Sequence, residues 1–382
     1  MDKKNKNPNV PNLRFSYKGD WSKRKLNEIC QFFKGNGLSK SDLSNEGFPC
    51  ILYGELYTTY KNEVISDIIS KTNTTLANPF LSRNNDLIIP GSGEDPIDIA
   101  VARAIYQNDI ILGGDLNILR PKSNVSAAFL SYQLNGVRRY DIAKKAQGKS
   151  IVHLHNSDLK EVLVSIPTCD EQLHIVELLT KIDEMIDAQI KIIDDYNSLK
   201  IGIYNWMFKE NYADYKLKQL AYIVKGDQIN NDQLLSNGSY YMMNGGTSPS
   251  GYLDSYNVSE NTISISEGGN SCGYVQFNSS PFWSGGHCYT IQNVNSALID
   301  NKYLYHYLKH KEKEIMNLRI GTGLPNIQKR DLENFTILAP NLSIQRKNLA
   351  LFEMLDEKIS VLNEELTILE KQKKYLLCNM FI

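Results

Sequence analysis

One stretch of this sequence occurs twice, and any fold must accommodate both copies. Asp158–Phe208 and Asp331–Phe381 align without a gap at a constant offset of 173 residues. Identical pairs include Asp158/Asp331, Leu159/Leu332, Pro167/Pro340, Gln172/Gln345, Asp183/Asp356, Glu184/Glu357, Ile186/Ile359, Lys200/Lys373, Met207/Met380 and Phe208/Phe381. A self-similar segment of this length outranks any local motif. In each copy an apolar, strand-like run ends at a proline, a polar turn follows, and a long proline-free segment begins.

Those long segments carry a heptad pattern. Ile182, Ile186, Gln189, Ile193, Tyr196, Lys200 and Ile203 step by four and three, and Leu355, Ile359, Leu362, Leu366, Leu369, Lys373 and Leu376 occupy the matching places. This alternation predicts two helices, each on the order of 35 residues and roughly 50 Å long at about 1.5 Å per residue. Each apolar stripe needs cover, and the other copy is the nearest partner; packing of each stripe on its own globular half is the alternative. The lysine repeated in both seams favours mutual pairing, because a seam lysine lowers stability while fixing register. Ile182, Ile186, Ile193, Leu355, Ile359 and Leu366 are the expected pairing residues.

The remaining sequence also repeats, more loosely. Lys34-Gly35 matches Lys225-Gly226, and Gly54 matches Gly245. Ile51–Tyr60 corresponds to Tyr240–Thr247, Leu87–Gly93 to Ile263–Gly269, and Ile110–Leu119 to Phe282–Ile291, each a strand-forming run broken by glycine. Helical segments follow at Ala127–Tyr140 and Asn301–Leu318, with a glycine turn at Gly148 or Gly321–Gly323. The fold class is α+β. Residues 1–20 form a flexible tail, 21–167 a first globular domain, 168–210 a first long helix, 214–340 a second globular domain and 341–382 a second long helix.

With 382 residues and 42% hydrophobic content the sequence suits two or three folded domains. No apolar run approaches the ~18–20 residues that a membrane helix requires, and the start of the sequence lacks the apolar centre of a signal peptide. Six scattered cysteines without a C-x-x-C predict reduced thiols and a cytoplasmic protein. The net charge of −1 conceals a strong segregation. Residues 120–150 hold seven basic side chains against one acid, and residues 302–330 seven against two. The first long helix, over 170–195, holds eight acids against two lysines. Basic segments thus precede each long helix at equivalent places, as phosphate contacts would require.

Catalytic patterns are incomplete. Phe33, Gly35 and Gly37 match the F-x-G-x-G loop of S-adenosylmethionine-dependent methyltransferases, but the Asn/Asp-Pro-Pro-aromatic tetrapeptide that holds the target amine is absent. Gly148-Lys149-Ser150 resembles the end of a phosphate loop, yet Ala143 stands where glycine is needed. His306 and His310 lack the glutamate of H-E-x-x-H, and His153 and His155 lack a third ligand nearby. Asp158-Leu159-Lys160 ends like a nuclease pattern, but its copy, Asp331-Leu332-Glu333, loses the lysine. The sequence predicts neither metal nor cofactor.

The N-V-P-N-L-R-F…W-x-x-x-K-L entry, the T-G-L-P-N-I-Q-K-R-D-L stretch before the second helix and the Pro167…Gln172 and Pro340…Gln345 junctions, in this order, resemble the DNA-specificity subunit of type I restriction–modification systems. The resemblance covers nearly the whole sequence. It implies two target-recognition domains, each followed by a long helix, the helices pairing as an antiparallel coiled coil with pseudo-twofold symmetry. It implies a bipartite double-stranded DNA site, one half read by each domain, and no catalysis in this subunit. It further implies two methyltransferase (modification) subunits acting on adenine N6, and restriction subunits for translocation and cleavage. A methyltransferase or nuclease with degenerate motifs, or a coiled-coil adaptor without DNA binding, are the alternatives.

Candidate DNA-binding residues fall into two sets. Base contact is expected from glycine- and amide-containing loops, since amides pair with adenine edges and glycine admits backbone to a groove. These are Tyr53, Glu55, Thr58, Thr59, Gly91, Ser92 and Gly93 in one half, and Asn244, Gly245, Thr247, Tyr252, Gly268 and Asn270 in the other. Phosphate contact is expected from Arg120, Lys122, Arg138, Arg139, Lys144, Lys329 and Arg330.

Overall fold

Heptad spacing becomes two unbroken helices in the computed structural model, Cys169–Met207 and Leu342–Asn379. The structure describes residues 8–208, 212–321, 323 and 325–382; the first seven residues of the expected tail, the last two of the expected first long helix, Thr322 of the expected glycine turn, and Leu324 lie outside them. The protein divides into two compact units, 1–190 with 364–382, and 191–363. Each unit therefore holds one α+β domain together with one stretch of each long helix.

In the first unit, a five-stranded sheet has the order Cys30–Lys34, Leu116–Pro121, Asp86–Pro90, Arg103–Ile105, Val64–Ile65. Its first four strands are antiparallel neighbours. A smaller sheet contains Phe48–Ile51, paired in parallel with Ile111–Leu112. The helix Ala127–Asn135 is buried along almost its whole length and joins Trp21, Leu87, Leu119 and Leu159 in the core. Met380 and Phe381 complete that core, with the Phe381 ring 5.3 Å from Phe129 and 6.4 Å from Trp21. Residues expected to be loose are held here from Asn9 onward. The Asn9 carbonyl accepts from the Trp21 N–H, Leu13 N–H donates to the Asn379 carbonyl, and Arg14 forms a two-pronged pair with the buried Glu171 at 2.6 and 2.7 Å. The bidentate guanidinium–carboxylate bond supplies what the polar composition of the tail did not suggest.

The second unit repeats this plan. Tyr222–Lys225, Cys288–Gln292, Thr262–Ser266 and Val275–Asn278 form an antiparallel sheet in that order. Tyr240–Met243 pairs in parallel with Trp283–Ser284 in a smaller one. The helix Asn301–His310, capped by the Asp300 carboxylate, supplies Tyr303, Leu304, Tyr307 and Leu308 to the core. Met207 and Phe208 close it, the Phe208 ring lying 4.9 Å from Tyr307 and 5.6 Å from Tyr303. The Met-Phe pair repeated in the sequence is thus a core plug in both units.

The repeated glutamine has an equally specific task. Gln172 is buried; its amide N–H₂ donates to the carbonyls of Pro167 and Asn124, while its oxygen accepts from Ser126 N–H at 2.9 Å. Gln345 does the same with Pro340, Leu298 and Asp300 N–H, at 2.7, 2.9 and 2.8 Å. One side chain therefore joins the proline turn, the start of the long helix and the N-terminus of the domain's core helix, and leaves none of its own hydrogen-bonding groups idle.

The helices pair antiparallel. In the first unit Lys373 meets Asp183, and Gln189 Nε2 donates to Glu365 at 3.0 Å; in the second Lys200 meets Asp356. Ile193 and Leu355 are buried along this seam, and Ile182, Ile186, Ile359 and Leu366 are half-buried. The lysine of each seam therefore lies against an aspartate that is itself repeated. In the first unit Lys373 bridges two buried carboxylates, Glu63 and Asp183, at 2.6 Å each, and the Tyr132 hydroxyl donates to Asp183 at 2.7 Å. Burial pushes the Asp183 carboxyl up, against the pull of Lys373. Burial alone would lower the Lys373 ammonium, but the two carboxylates outweigh it and hold it above its ordinary value. In the second unit His306 takes the place of Tyr132. Its Nδ1 lies 2.8 Å from the Tyr204 hydroxyl and 3.8 Å from Asp356, and burial pushes the imidazole down to about 4. Lys373→Met should leave two buried carboxylates without a cation and cost about 3–5 kcal/mol of stability. Adding Glu63→Gln and Asp183→Asn should recover most of it. Denaturant unfolding of the three proteins checks this; a loss under about 1 kcal/mol in the single variant contradicts it.

Candidate nucleic-acid interface

In both units the chain crosses from the small sheet to the large one through two consecutive glycines. In the first, Ile111–Leu112 leads through Gly113-Gly114 and Asp115 into Leu116–Pro121; in the second, Trp283–Ser284 leads through Gly285-Gly286 and His287 into Cys288–Gln292. A third glycine packs on each crossing. A Cβ on Gly35 would lie 2.0 Å from the Gly113 carbonyl oxygen, and one on Gly226 would lie 2.3 Å from that of Gly285. Only glycine permits backbone to approach backbone this closely. Around each crossing gather the loops that follow the small-sheet and large-sheet strands. Gly91 N–H donates to the Asp115 carbonyl and Gly113 N–H to that of Ile51; Glu267 N–H donates to His287 and Gly285 N–H to Met243.

Several residues expected at base contacts meet here. Tyr53 and Glu55 are half-buried beside Leu52, whose N–H donates to the Glu55 carboxylate at 2.7 Å; Ser70 Oγ donates to the same carboxylate. Thr58 and Thr59 are exposed. Gly91, Ser92 and Gly93 are buried, with Ser92–Gly93 paired to Val152–His153, and Ser92 Oγ donates to Asp115 at 3.0 Å. In the second unit Asn244 accepts from His287 N–H, while the Gly245 carbonyl accepts from Ser266 and Ser271. Gly268 bridges to Asn326, and Thr247, Tyr252 and Asn270 are exposed.

The basic residues divide differently. Arg120 is taken up by the fold, in a two-pronged pair with the fully buried Asp86 at 2.8 Å and over the Phe33 ring at 5.0 Å. It lies, with Lys122, at the far end of the strand whose start adjoins the glycines. Lys122 Nζ donates to the Glu28 carbonyl. Arg138 donates to the Ile382 carbonyl and pairs with Asp141, and Arg139 donates to the Ile97 carbonyl. Lys144 is exposed after the short helix Arg139–Ala143. Lys329 and Arg330 are exposed in the first turn of Lys329–Glu333, Lys329 standing 3.7 Å from Glu333.

Sequence reasoning passed over Asp115, Lys225, Glu267, His287 and Tyr289. The glycine pairs that precede Asp115 and His287 were visible as a repeat, whereas the cluster on Glu267 is assembled from two strands and the loop after a third. Glu267 is buried, and accepts from Lys225 Nζ at 2.6 Å and the Tyr289 hydroxyl at 3.0 Å. Burial, then the Glu267 carboxylate, keep the Tyr289 phenol above its ordinary range. Among the described residues no group of three or more histidine, cysteine or acidic side chains could hold a metal ion, and no helix is long and apolar enough to cross a membrane.

Comparison with known proteins places these observations. Residues 18–194, and again 209–371, match the family described as type I restriction modification DNA specificity domain. A Mycoplasma pneumoniae protein described as a type I specificity subunit is 35% identical over 127 residues, which cover 33% of this chain and 34% of that protein. The chain thus spans about a third of the length of the mycoplasma relatives it matches. A Methanocaldococcus jannaschii protein described as the MjaX specificity subunit is 22% identical over 85% of this chain and 84% of its own. The crystal structure of the type I S subunit from Mycoplasma genitalium shares the fold, with a TM-score of 0.68 and 19% identity over 98% of this chain and 99% of that one.

Because Lys329 and Arg330 are exposed, Lys329→Ala with Arg330→Ala should weaken binding to every DNA sequence alike. It should flatten the plot of log affinity against log salt by roughly one unit per lost phosphate contact, without lowering the melting temperature. Arg138→Ala with Arg139→Ala should lower the melting temperature, since both guanidinium groups hold backbone carbonyls. An unchanged salt slope in the Lys329→Ala, Arg330→Ala variant would place the DNA elsewhere.

Proposed function

The chain belongs to the type I restriction modification DNA specificity family, and on that premise we propose that each of its two matched domains reads one half of a split DNA site. The observation that carries this is the pairing of one scaffold with two different surfaces. The glycine crossings share the bonds that tie them to the small-sheet and large-sheet loops, while Tyr53, Glu55, Thr58, Asn244, Thr247 and Asn270 give the two loop clusters unlike hydrogen-bonding groups. A constant frame with unlike donors and acceptors is what recognition of two unlike base sequences requires. Exposed Lys144, Lys329 and Arg330 supply phosphate contact. Chemistry on adenine then resides in modification subunits and cleavage in restriction subunits, and the subunit itself contributes recognition in the cytoplasm, where the DNA is.

A surface for those partners lies on the long helices. One residue before every second seam position, at seven-residue spacing, the side chains are apolar and exposed. These are Met185, Ile192, Leu199 and Trp206 on the first helix, and Met354, Val361, Ile368 and Tyr375 on the second. Met185, Ile368 and Tyr375 belong to the first unit and the other five to the second, so each unit offers an apolar flank beside its seam. Heptad-spaced apolar side chains suit the helices of a partner, and two such flanks suit two modification subunits.

Two measurements test this. Replacing residues 214–340 by the matching domain of a relative should rewrite one half-site and leave the other intact in a genome-wide map of modified bases; rewriting of both refutes one-domain-per-half reading. Leu199→Glu with Trp206→Glu should abolish copurification of the modification subunit without lowering the melting temperature, because both side chains are exposed. Retained assembly would move the docking surface elsewhere.

A further inference from the structure

We propose that the residue after the paired glycines, Asp115 in the first unit and His287 in the second, is the base-reading position that sets the two domains apart. This rests on the reading of the domains as DNA readers. The two crossings share three backbone bonds besides those of the tip: Gly35 and Gly226 N–H donate to the carbonyls of Leu116 and Cys288, Asn36 and Asp227 N–H to those of Leu112 and Ser284, and Gly113 and Gly285 N–H to those of Ile51 and Met243. Each tip residue's main-chain carbonyl accepts from the loop that follows the large-sheet strand, from Gly91 N–H or Glu267 N–H. Each preceding glycine pair is wedged beneath Gly35 or Gly226, where a Cβ would collide with backbone. The tip is therefore fixed by contacts that no side chain can replace.

At this fixed tip the two side chains are exposed and are steered by a buried polar group. Ser92, 4% exposed, donates to the Asp115 carboxylate. Glu267, 8% exposed, lies 3.7 Å from His287 Nδ1, and the Asn244 side-chain oxygen accepts from the main-chain N–H of His287. Asp115 also occupies the left-handed region, at φ 56°. That conformation is uncommon for a residue with a Cβ, and aspartate and asparagine tolerate it best. A turn alone would be better served by a third glycine.

The chemistry is of opposite sign. A carboxylate only accepts, and suits an exocyclic amino group in the major groove, such as cytosine N4. An imidazole N–H donates, and suits a purine N7 or guanine O6. One frame therefore presents an acceptor to one half-site and a donor to the other.

Asp115→Asn preserves shape, the Ser92 bond and tolerance of positive φ, but adds donors. His287→Gln removes the ring and leaves the backbone contacts. Each full-length variant, assembled with its modification subunits, is assayed by competition against duplexes that differ from the native site by one base pair at a time. Asp115→Asn should change the preferred base at one position of one half-site, altering that ratio roughly five- to hundredfold, and His287→Gln should do so in the other half-site only. Unchanged rankings, a uniform loss on every duplex, or a change in both half-sites from one variant would each overturn the proposal. Failure here is separable from failure of the parent reading. If the 214–340 exchange rewrites one half-site while neither point variant alters a ranking, only the tip assignment falls. If that exchange alters neither, the DNA-reading assignment itself falls.

Discussion

Each unit depends on one buried amide. Gln172 and Gln345 stand where a strand, a proline turn, a core helix and a long helix converge, and each satisfies three backbone groups, the buried proline carbonyl among them. An unpaired buried N–H or carbonyl costs on the order of 1–3 kcal/mol, so loss of the amide would expose several such penalties together. It would also free the angle at which the long helix leaves its domain. The seam and the core plugs at Met207-Phe208 and Met380-Phe381 presuppose that angle.

Polar groups likewise decide how the helices meet. Apolar seam residues would tolerate several registers, since any shift by a heptad places leucine and isoleucine against similar neighbours. Lys373 with Asp183, and Lys200 with Asp356, admit one antiparallel alignment. The two sites are not copies. The first adds Glu63 and Tyr132 to its lysine; the second keeps His306 neutral beside Tyr204, so a lysine and one carboxylate suffice. The same alignment is therefore reached by a charged triad in one unit and by a pair with a neutral histidine in the other.

Legibility in the sequence followed the range of the interaction. The seam was readable because periodicity is local: each step from Ile182 to Ile203 lies within one or two helical turns. The repeated Gln172/Gln345 and Met-Phe pairs were readable as identities, though not as an amide clamp and a core plug. Basic residues misled where their partners were remote. Arg120 looks like a phosphate ligand until Asp86, 34 positions away, is placed across the sheet from it. Arg14 looked like part of a loose tail because Glu171 lies 157 residues on. The glycine crossings were recognised as repeated turns, but Asp115 and His287 had no periodic or motif signature, since what distinguishes them is exposure at a rigid tip.

The composition of the units has a consequence for biosynthesis. The second unit is a continuous segment, whereas the first combines residues 1–190 with 364–382. While the second is being made, the first lacks Met380 and Phe381 from its core, and Glu63 and Asp183 lack the Lys373 ammonium. At about 5–20 residues per second, the ribosome leaves that core open for roughly ten to thirty-five seconds. The unit that emerges first is thus the one that finishes last, and through that interval its apolar face and its uncompensated acids are open to chaperones, proteases and neighbouring nascent chains.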